Sequence, residues 1–212
     1  MLEYLSLPNT RLQELEKENP LRTALMVQRQ HEALQAGRSF HVQQTWVPLS
    51  HVSPYLLHAV IVSEDGTFYE HGGVDWYEVE ESIEKNLEEG KAARGGSTIS
   101  QQLAKNLFLS TSKDPLRKLK ELVITLRMER MLSKRRILEI YLNVIEWGNG
   151  IFGAEAAARK YFGKSAASIT REEAAQLAAV IPSPLRNQPN QPSQYVERRT
   201  SMILERMNAR GY

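Results

Sequence analysis

The sequence predicts a mainly α protein built around one continuous core, with at most a minor short β element. Three observations carry that expectation. Apolar residues recur at helical spacing along most of the chain, Ser, Thr, Asp and Pro stand at the starts of those runs, and Gly or Pro closes several of them. With 212 residues and 42% hydrophobic content the chain can bury a sizeable core. A formal net charge of +2 names no partner by itself. The absence of cysteine excludes a disulfide scaffold, a thiolate nucleophile and a cysteine zinc site. No window approaches the ~20 apolar residues of a membrane span, and Met1 to Leu5 lacks the basic and apolar regions of a signal peptide.

Taken in order, residues 1–20 are polar, end in Asn19-Pro20 and read as an arm or linker. Leu21 to Leu34 carries a helical pattern that Gly37 breaks, and residues 40–47 form one short strand before Pro48. Ser53, as N-cap, and Pro54, at the first helical position, open the helix that delivers Glu64. Asp75 caps a helix with Trp76, Val79, Ile83 and Leu87 at core spacing; Gly90 ends it, and Lys91 to Gly96 is a flexible basic connection. Ser97 to Phe108 is helical with Ile99, Leu103 and Leu107 inward. Asp114-Pro115 starts the next helix, with Leu116, Leu119, Val123 and Leu126 as its buried face. Ser133 caps Lys134 to Val144, and Gly148, Gly150 and Gly153 mark a loop before the helix Ala154 to Tyr161. Thr170 to Glu173 is a capping box for a helix that stops at Pro182, and the last helix runs from Gln194 to Ala209.

Chemistry concentrates in a few stretches. The apolar run from Leu56 to Val62 leads into the adjacent acids Glu64 and Asp65, with Phe68, His71 and a glycine pair close behind. Apolar support that ends in carboxylates on a turn-rich loop suits a proton-transfer group at a cleft rim, although a solvated acidic loop reads the same. Gly95-Gly96 before Ser97, Thr98, Gln101, Gln102, Lys105 and Asn106 makes a helix start that an anion can approach, and equally an ordinary capped helix. The nucleotide-binding G-x-x-x-x-G-K-[ST] pattern is not met. Arg117, Lys118 and Glu121 share a helix, and Lys113 to Arg136 carries nine Lys/Arg against three acids. That basic strip points to an anionic ligand or membrane surface; it lacks the interleaved aromatics that would favour nucleic acid. Glu139 and Asn143 read as structural support, and no histidine has metal-ligand spacing.

Together these blocks resemble the peptidoglycan glycosyltransferases (family 51), which include the polymerase domain of bifunctional penicillin-binding proteins and the monofunctional biosynthetic transglycosylases. The family's E-D-x-x-F-x-x-H-x-G block is similar to Glu64, Asp65, Phe68, His71 and Gly73. Its G-x-S-T-I-x-Q-Q-x-x-K-N block is similar to Gly95 through Asn106, R-K-x-x-E to Arg117, Lys118 and Glu121, and K-x-x-I-L-E-x-Y-L-N to Lys134 through Asn143. Four blocks in the family's order are specific. The resemblance implies a lysozyme-like helical domain spanning residues 21–212. With neither a membrane helix at the start nor room for a transpeptidase domain after Tyr212, the chain resembles the monofunctional enzyme without its anchor.

What the resemblance implies is polymerisation of lipid II, a disaccharide-pentapeptide on undecaprenyl pyrophosphate, by inverting transfer that makes β-1,4 linkages. Glu64 is then the general base, and Lys105, Arg117 and Lys118 hold the pyrophosphate, with Ser97, Thr98, Gln101, Gln102 and Asn106 lining the site. Asp65 and His71 support the base and Phe68 packs beneath it. Glu121 is the second catalytic acid: it orients the cations or holds a divalent ion, Mg or Mn, and the sequence leaves both roles open. No cofactor is required. The implied partners are lipid II and the growing glycan strand, the membrane surface, other wall-synthesis proteins and the inhibitor moenomycin, on the periplasmic side of a bacterial inner membrane. Two other readings exist: a lysozyme-like hydrolase, and a non-catalytic module that binds an anionic polymer or membrane. The first needs no pyrophosphate clamp, and the second leaves Glu64, Asp65 and His71 without a purpose.

Overall fold

The computed structural model describes residues 9–81, 96–109, 115–191 and 193–212. The helices are α1 (Asn9–Glu14), α2 (Ala24–Gln35), α3 (Pro54–Glu64), α4 (Ile99–Phe108), α5 (Pro115–Met131), α6 (Lys134–Val144), α7 (Ala154–Phe162), α8 (Arg171–Val180) and α9 (Gln194–Ala209). A further helical stretch begins at residue 76. The strands are β1 (Gln43–Gln44), β2 (Glu146–Gly148) and β3 (Ile151–Phe152), in the order β1-β3-β2. The molecule is mainly α, as the helical spacing predicts.

Helix α3 is the pivot. Leu56, Ala59, Val60, Ile61 and Val62 are buried on successive faces, so the helix lies inside the molecule, against α8 and α9. Helix α4 packs on α2, α5 and α6. Its start is built as the spacing predicts: Thr98 and Gln101 form a reciprocal capping box, and Ile99, Leu103 and Leu107 are buried. Thr23, Ser133, Thr170 and Ser193 cap α2, α6, α8 and α9 through their hydroxyls.

Several expectations need correction. Residues 9–20 are not a detached arm: Leu12 and Leu15 are buried in the core, and the Arg136 guanidinium donates to the carbonyls of Leu15 and Glu18, both at 2.8 Å. Ser53 occupies the cap position of α3, but its hydroxyl donates to the Ile169 carbonyl at 2.9 Å. The strand expected over 40–47 shrinks to β1, because the Asn143 amide takes the place of a ladder partner, accepting from Val47 N–H at 2.9 Å and donating to Val47 C=O at 2.8 Å. The glycines at 148, 150 and 153 do not mark a plain loop; the β2-β3 hairpin runs through them. Gly153 has φ 84°, and a Cβ there would lie 2.7 Å from the Asn143 carbonyl oxygen.

Two apolar patterns also depart from expectation among the described residues. Trp76 is 64% exposed, and Ile83 and Leu87 fall outside the described residues, as do Gly90 and most of the basic connection. On α5, Leu116 and Leu119 are exposed, at 65% and 43%, whereas Glu121, Ile124, Thr125 and Met128 are buried. Apolar spacing misjudges this helix because its inward face carries a buried, ion-paired carboxylate, Glu121.

Candidate active site

Glu64 is the last residue of α3, so the buried helix carries a carboxylate to the core's edge. The side chain is only 8% exposed. One oxygen, Oε1, accepts from the Ser63 hydroxyl at 3.1 Å, and Oε2 accepts from Gln102 Nε2 at 2.9 Å. Arg199 Nη2 lies 3.7 Å from Oε1. Burial pushes the Glu64 carboxyl above the ordinary glutamate range, and the two donors, Arg199 and Lys105 only partly counter it.

Asp65 turns the other way. Its Oδ2 accepts the Ile99 N–H at 2.9 Å, at the start of α4, and its Oδ1 meets His71 Nε2 at 2.8 Å. His71 Nδ1 accepts the Gly73 N–H at 3.1 Å, so the ring hydrogen sits on Nε2 and points at Asp65. Thr98 donates from its hydroxyl to the Gly73 carbonyl at 2.6 Å. Gly73 has φ 96°, and a Cβ there would lie 2.7 Å from Glu129 Cγ, so only glycine lets the loop close on α5. Phe68 is fully buried beneath this turn, with Lys134 Nζ 4.5 Å from its ring centre. Asp65, His71 and Phe68 thus lock the loop after α3 onto α4.

The cations gather on α4 and α5. Glu121, buried, accepts from Arg117 Nη1 at 2.7 Å and also pairs with Lys118 Nζ. Lys118 Nζ lies 3.3 Å from the Ser97 hydroxyl oxygen, and Gln102 Nε2 lies 3.2 Å from the Ser97 carbonyl oxygen. Side-chain contacts and the Ser97 backbone therefore connect Glu64 to Glu121. Lys105 lies in the field of both acids, and its burial lowers the ammonium below the ordinary lysine range. Among the described residues no hydrogen bond or ion pair holds Lys105, in contrast to Lys118. Gln101 and Thr98 serve the helix cap, and Asn106 is buried next to Lys105 on α4.

Glu64 opens onto a cleft of about 1270 Å³. Its lining includes Asp65, Ser97 and Gln102 together with Arg186, Arg199, Arg206 and Arg210. Arg199 Nη2 lies 3.2 Å from the Ser63 hydroxyl oxygen, Arg206 donates to the Val62 carbonyl at 3.2 Å, and Arg210 donates to the Gly66 carbonyl. A carboxylate of raised proton affinity thus lies in the field of cations from two helices, Lys105 of α4 and Arg199 of α9. That arrangement suits proton removal next to a group whose negative charge must be held.

A sequence profile of the transglycosylase family matches residues 30–208, which contain all four blocks. The chain belongs to the transglycosylase family. It is 51% identical to the biosynthetic peptidoglycan transglycosylase of Nitrosospira multiformis over 189 residues, covering 89% of this chain and 82% of that protein. The protein of the same name from Dechloromonas aromatica is 48% identical, over 90% of this chain and 83% of that protein. A third, from Aromatoleum aromaticum, is 53% identical, over 79% and 73%.

Of the expected site residues of this transglycosylase, Glu64, Asp65, Ser97 and Gln102 line the cleft, whereas Lys105, Arg117, Lys118 and Glu121 lie outside its lining; sequence reasoning missed the arginines of the cleft. The signal was present: Arg199, Arg206 and Arg210 are seven and four residues apart, which puts them on one face of a helix. Tyr141 was also passed over as a site residue, although its block was recognised; it is wholly buried and donates to Gln102 Oε1 at 2.9 Å. The donor set does not suit a resident divalent ion at Glu121. Both carboxylate oxygens already face cations, and no cluster of three His, Cys, Asp or Glu side chains surrounds it among the described residues.

Proposed function

We propose that this chain polymerises lipid II into peptidoglycan glycan strands, with Glu64 as the general base. The observation that carries this reading is Glu64 itself, a buried carboxylate with fixed donors in the field of Lys105 and Arg199. Polymerisation joins two lipid pyrophosphates, so two anion sites near one base fit the reaction. Lys105, Arg117 and Lys118 hold the donor's pyrophosphate, and Arg199, Arg206 and Arg210 hold the anionic part of the acceptor. Cleavage of a glycan strand would need neither.

In the reaction, the acceptor sugar's 4-hydroxyl oxygen forms a bond to the donor's anomeric carbon as the bond from that carbon to pyrophosphate breaks. Glu64 takes the hydroxyl proton, and the leaving pyrophosphate carries away the electron pair. A single displacement inverts the anomeric centre, from α in the donor to β in the product. Glu121 keeps Arg117 and Lys118 oriented towards the leaving group. The exposed Leu116 and Leu119 on the basic helix α5 rest on the outer leaflet of the inner membrane, which brings the clamp to lipid-borne substrate. Among the described residues no helix is long and apolar enough to cross a membrane.

The test is purified protein with lipid II, with and without moenomycin, beside a parallel incubation with preformed glycan strands. Growth of strands from lipid II that moenomycin stops is the expected result. Cleavage of strands with no growth would replace this reading by the hydrolase.

A further inference from the structure

Tyr141 lies on α6 with its ring wholly buried, where a phenylalanine would serve packing equally well. Its hydroxyl therefore calls for a separate account, since a buried hydroxyl must find a partner. The partner is Gln102 Oε1, at 2.9 Å. The same amide directs Nε2 to Glu64 Oε2 at 2.9 Å and to the Ser97 carbonyl oxygen at 3.2 Å. Both N–H groups of the amide and one lone pair of its oxygen are thus engaged. Turned over, the amide would set its carbonyl oxygen against a carboxylate and a backbone carbonyl, and would leave the tyrosine hydrogen without an acceptor.

We propose that Tyr141 is a positioning residue for glycosyl transfer: its hydroxyl fixes the Gln102 amide so that N–H, not C=O, faces Glu64. The inference rests on Glu64 being the base. Burial, together with the carboxylates of Glu64 and Asp65, holds the Tyr141 hydroxyl well above the ordinary tyrosine range, so it stays a donor throughout the working pH range. With Ser63 on Oε1 and Gln102 on Oε2, each oxygen of Glu64 has one fixed donor and keeps a lone pair for the incoming hydroxyl. The charged groups that face Glu64 are Lys105 from α4 and Arg199 from α9. Asp65 is engaged by Ile99 N–H and His71. The Tyr141 hydroxyl bonds to Gln102, and Gln102 connects to Lys118 through Ser97, so the Tyr141 hydroxyl acts on the base at one remove from the clamp.

The test compares Tyr141→Phe, Gln102→Ala and the double variant by kcat, KM and pH profile on lipid II. Tyr141→Phe is expected to lower kcat about tenfold while KM stays within about twofold, because the clamp is untouched. The Gln102 donor lowers the proton affinity of Glu64, so its loss should move the acid limb of the profile to higher pH. Gln102→Ala should move that limb the same way, and adding Tyr141→Phe to it should change nothing further. A wild-type kcat and acid limb in Tyr141→Phe would overturn the proposal, as would losses that multiply in the double variant. If Tyr141→Phe yields no folded protein, NMR of the unaltered protein decides. A slowly exchanging Tyr141 hydroxyl proton with a cross-peak to the Gln102 amide supports the relay, and its absence overturns it. Failure of the base reading looks different: Glu64→Gln would then polymerise at near the unaltered rate.

Discussion

Glu64 has two fixed donors and little access to water, and two predictions follow from that placement. Glu64→Gln keeps the shape but not the base, so polymerisation of lipid II should fall by at least about 100-fold with the fold intact. The same variant should be more stable than the parent near neutral pH. A carboxyl whose folded-state proton affinity is raised by burial opposes folding when ionised. That cost is present above its folded pKa and fades as pH falls through it towards the unfolded value. Melting curves across pH should therefore converge in acid, and a constant gap would count against desolvation as the cause. Lys105 is the counterpart on the other side of the reaction. Lys105→Ala should weaken lipid II binding about tenfold or more, measured by binding to the Glu64→Gln background, where no turnover intervenes. Arg117→Lys should also lose activity, since a lysine cannot reproduce the guanidinium fork.

At the scale of elements, helix boundaries were largely legible because their signals are local. The capping boxes at Thr98 and Thr170 and the last helix from Gln194 to Ala209 stand where spacing puts them. Less legible was which face turns inward. Helix α5 buries Glu121 and exposes Leu116, since a face that carries a buried ion-paired acid breaks the apolar rule from which burial is inferred. The β2-β3 hairpin was hidden for another reason: its strands are three and two residues long, too short to show alternation. Its glycines do carry structural weight. Gly153→Ala should lower the melting temperature by several degrees, because a Cβ meets the Asn143 carbonyl and the backbone holds a positive φ. Far-UV circular dichroism on heating would measure it.

For the whole molecule, the four blocks pointed to the family and to four residues that line the cleft, Glu64, Asp65, Ser97 and Gln102, but did not reveal how that cleft is enclosed. Arg199, Arg206 and Arg210 come from the last helix, more than 130 residues beyond Glu64, and only tertiary packing of α9 on α3 makes them neighbours. Local motifs therefore reach Glu64, Asp65, Ser97 and Gln102, while the arginines of the cleft depend on a contact between helices distant in sequence. Orientation at a bilayer is likewise a property of the assembled surface. Leu116→Ser with Leu119→Ser should reduce co-sedimentation with anionic vesicles about fivefold or more while leaving the melting temperature nearly unchanged, because both side chains are exposed. Unchanged sedimentation would place the membrane face elsewhere.

The placement of Lys105 between two acids has a thermodynamic consequence. Its ammonium feels both Glu64 and Glu121, so an anion seated on it adds negative charge within reach of Glu64. Such an anion must raise the proton affinity of Glu64, and reciprocity requires Glu64, once protonated, to hold the anion more tightly. Loading the donor would thus sharpen the appetite of Glu64 for the acceptor's proton, so that the enzyme becomes a better base once there is a leaving group to displace.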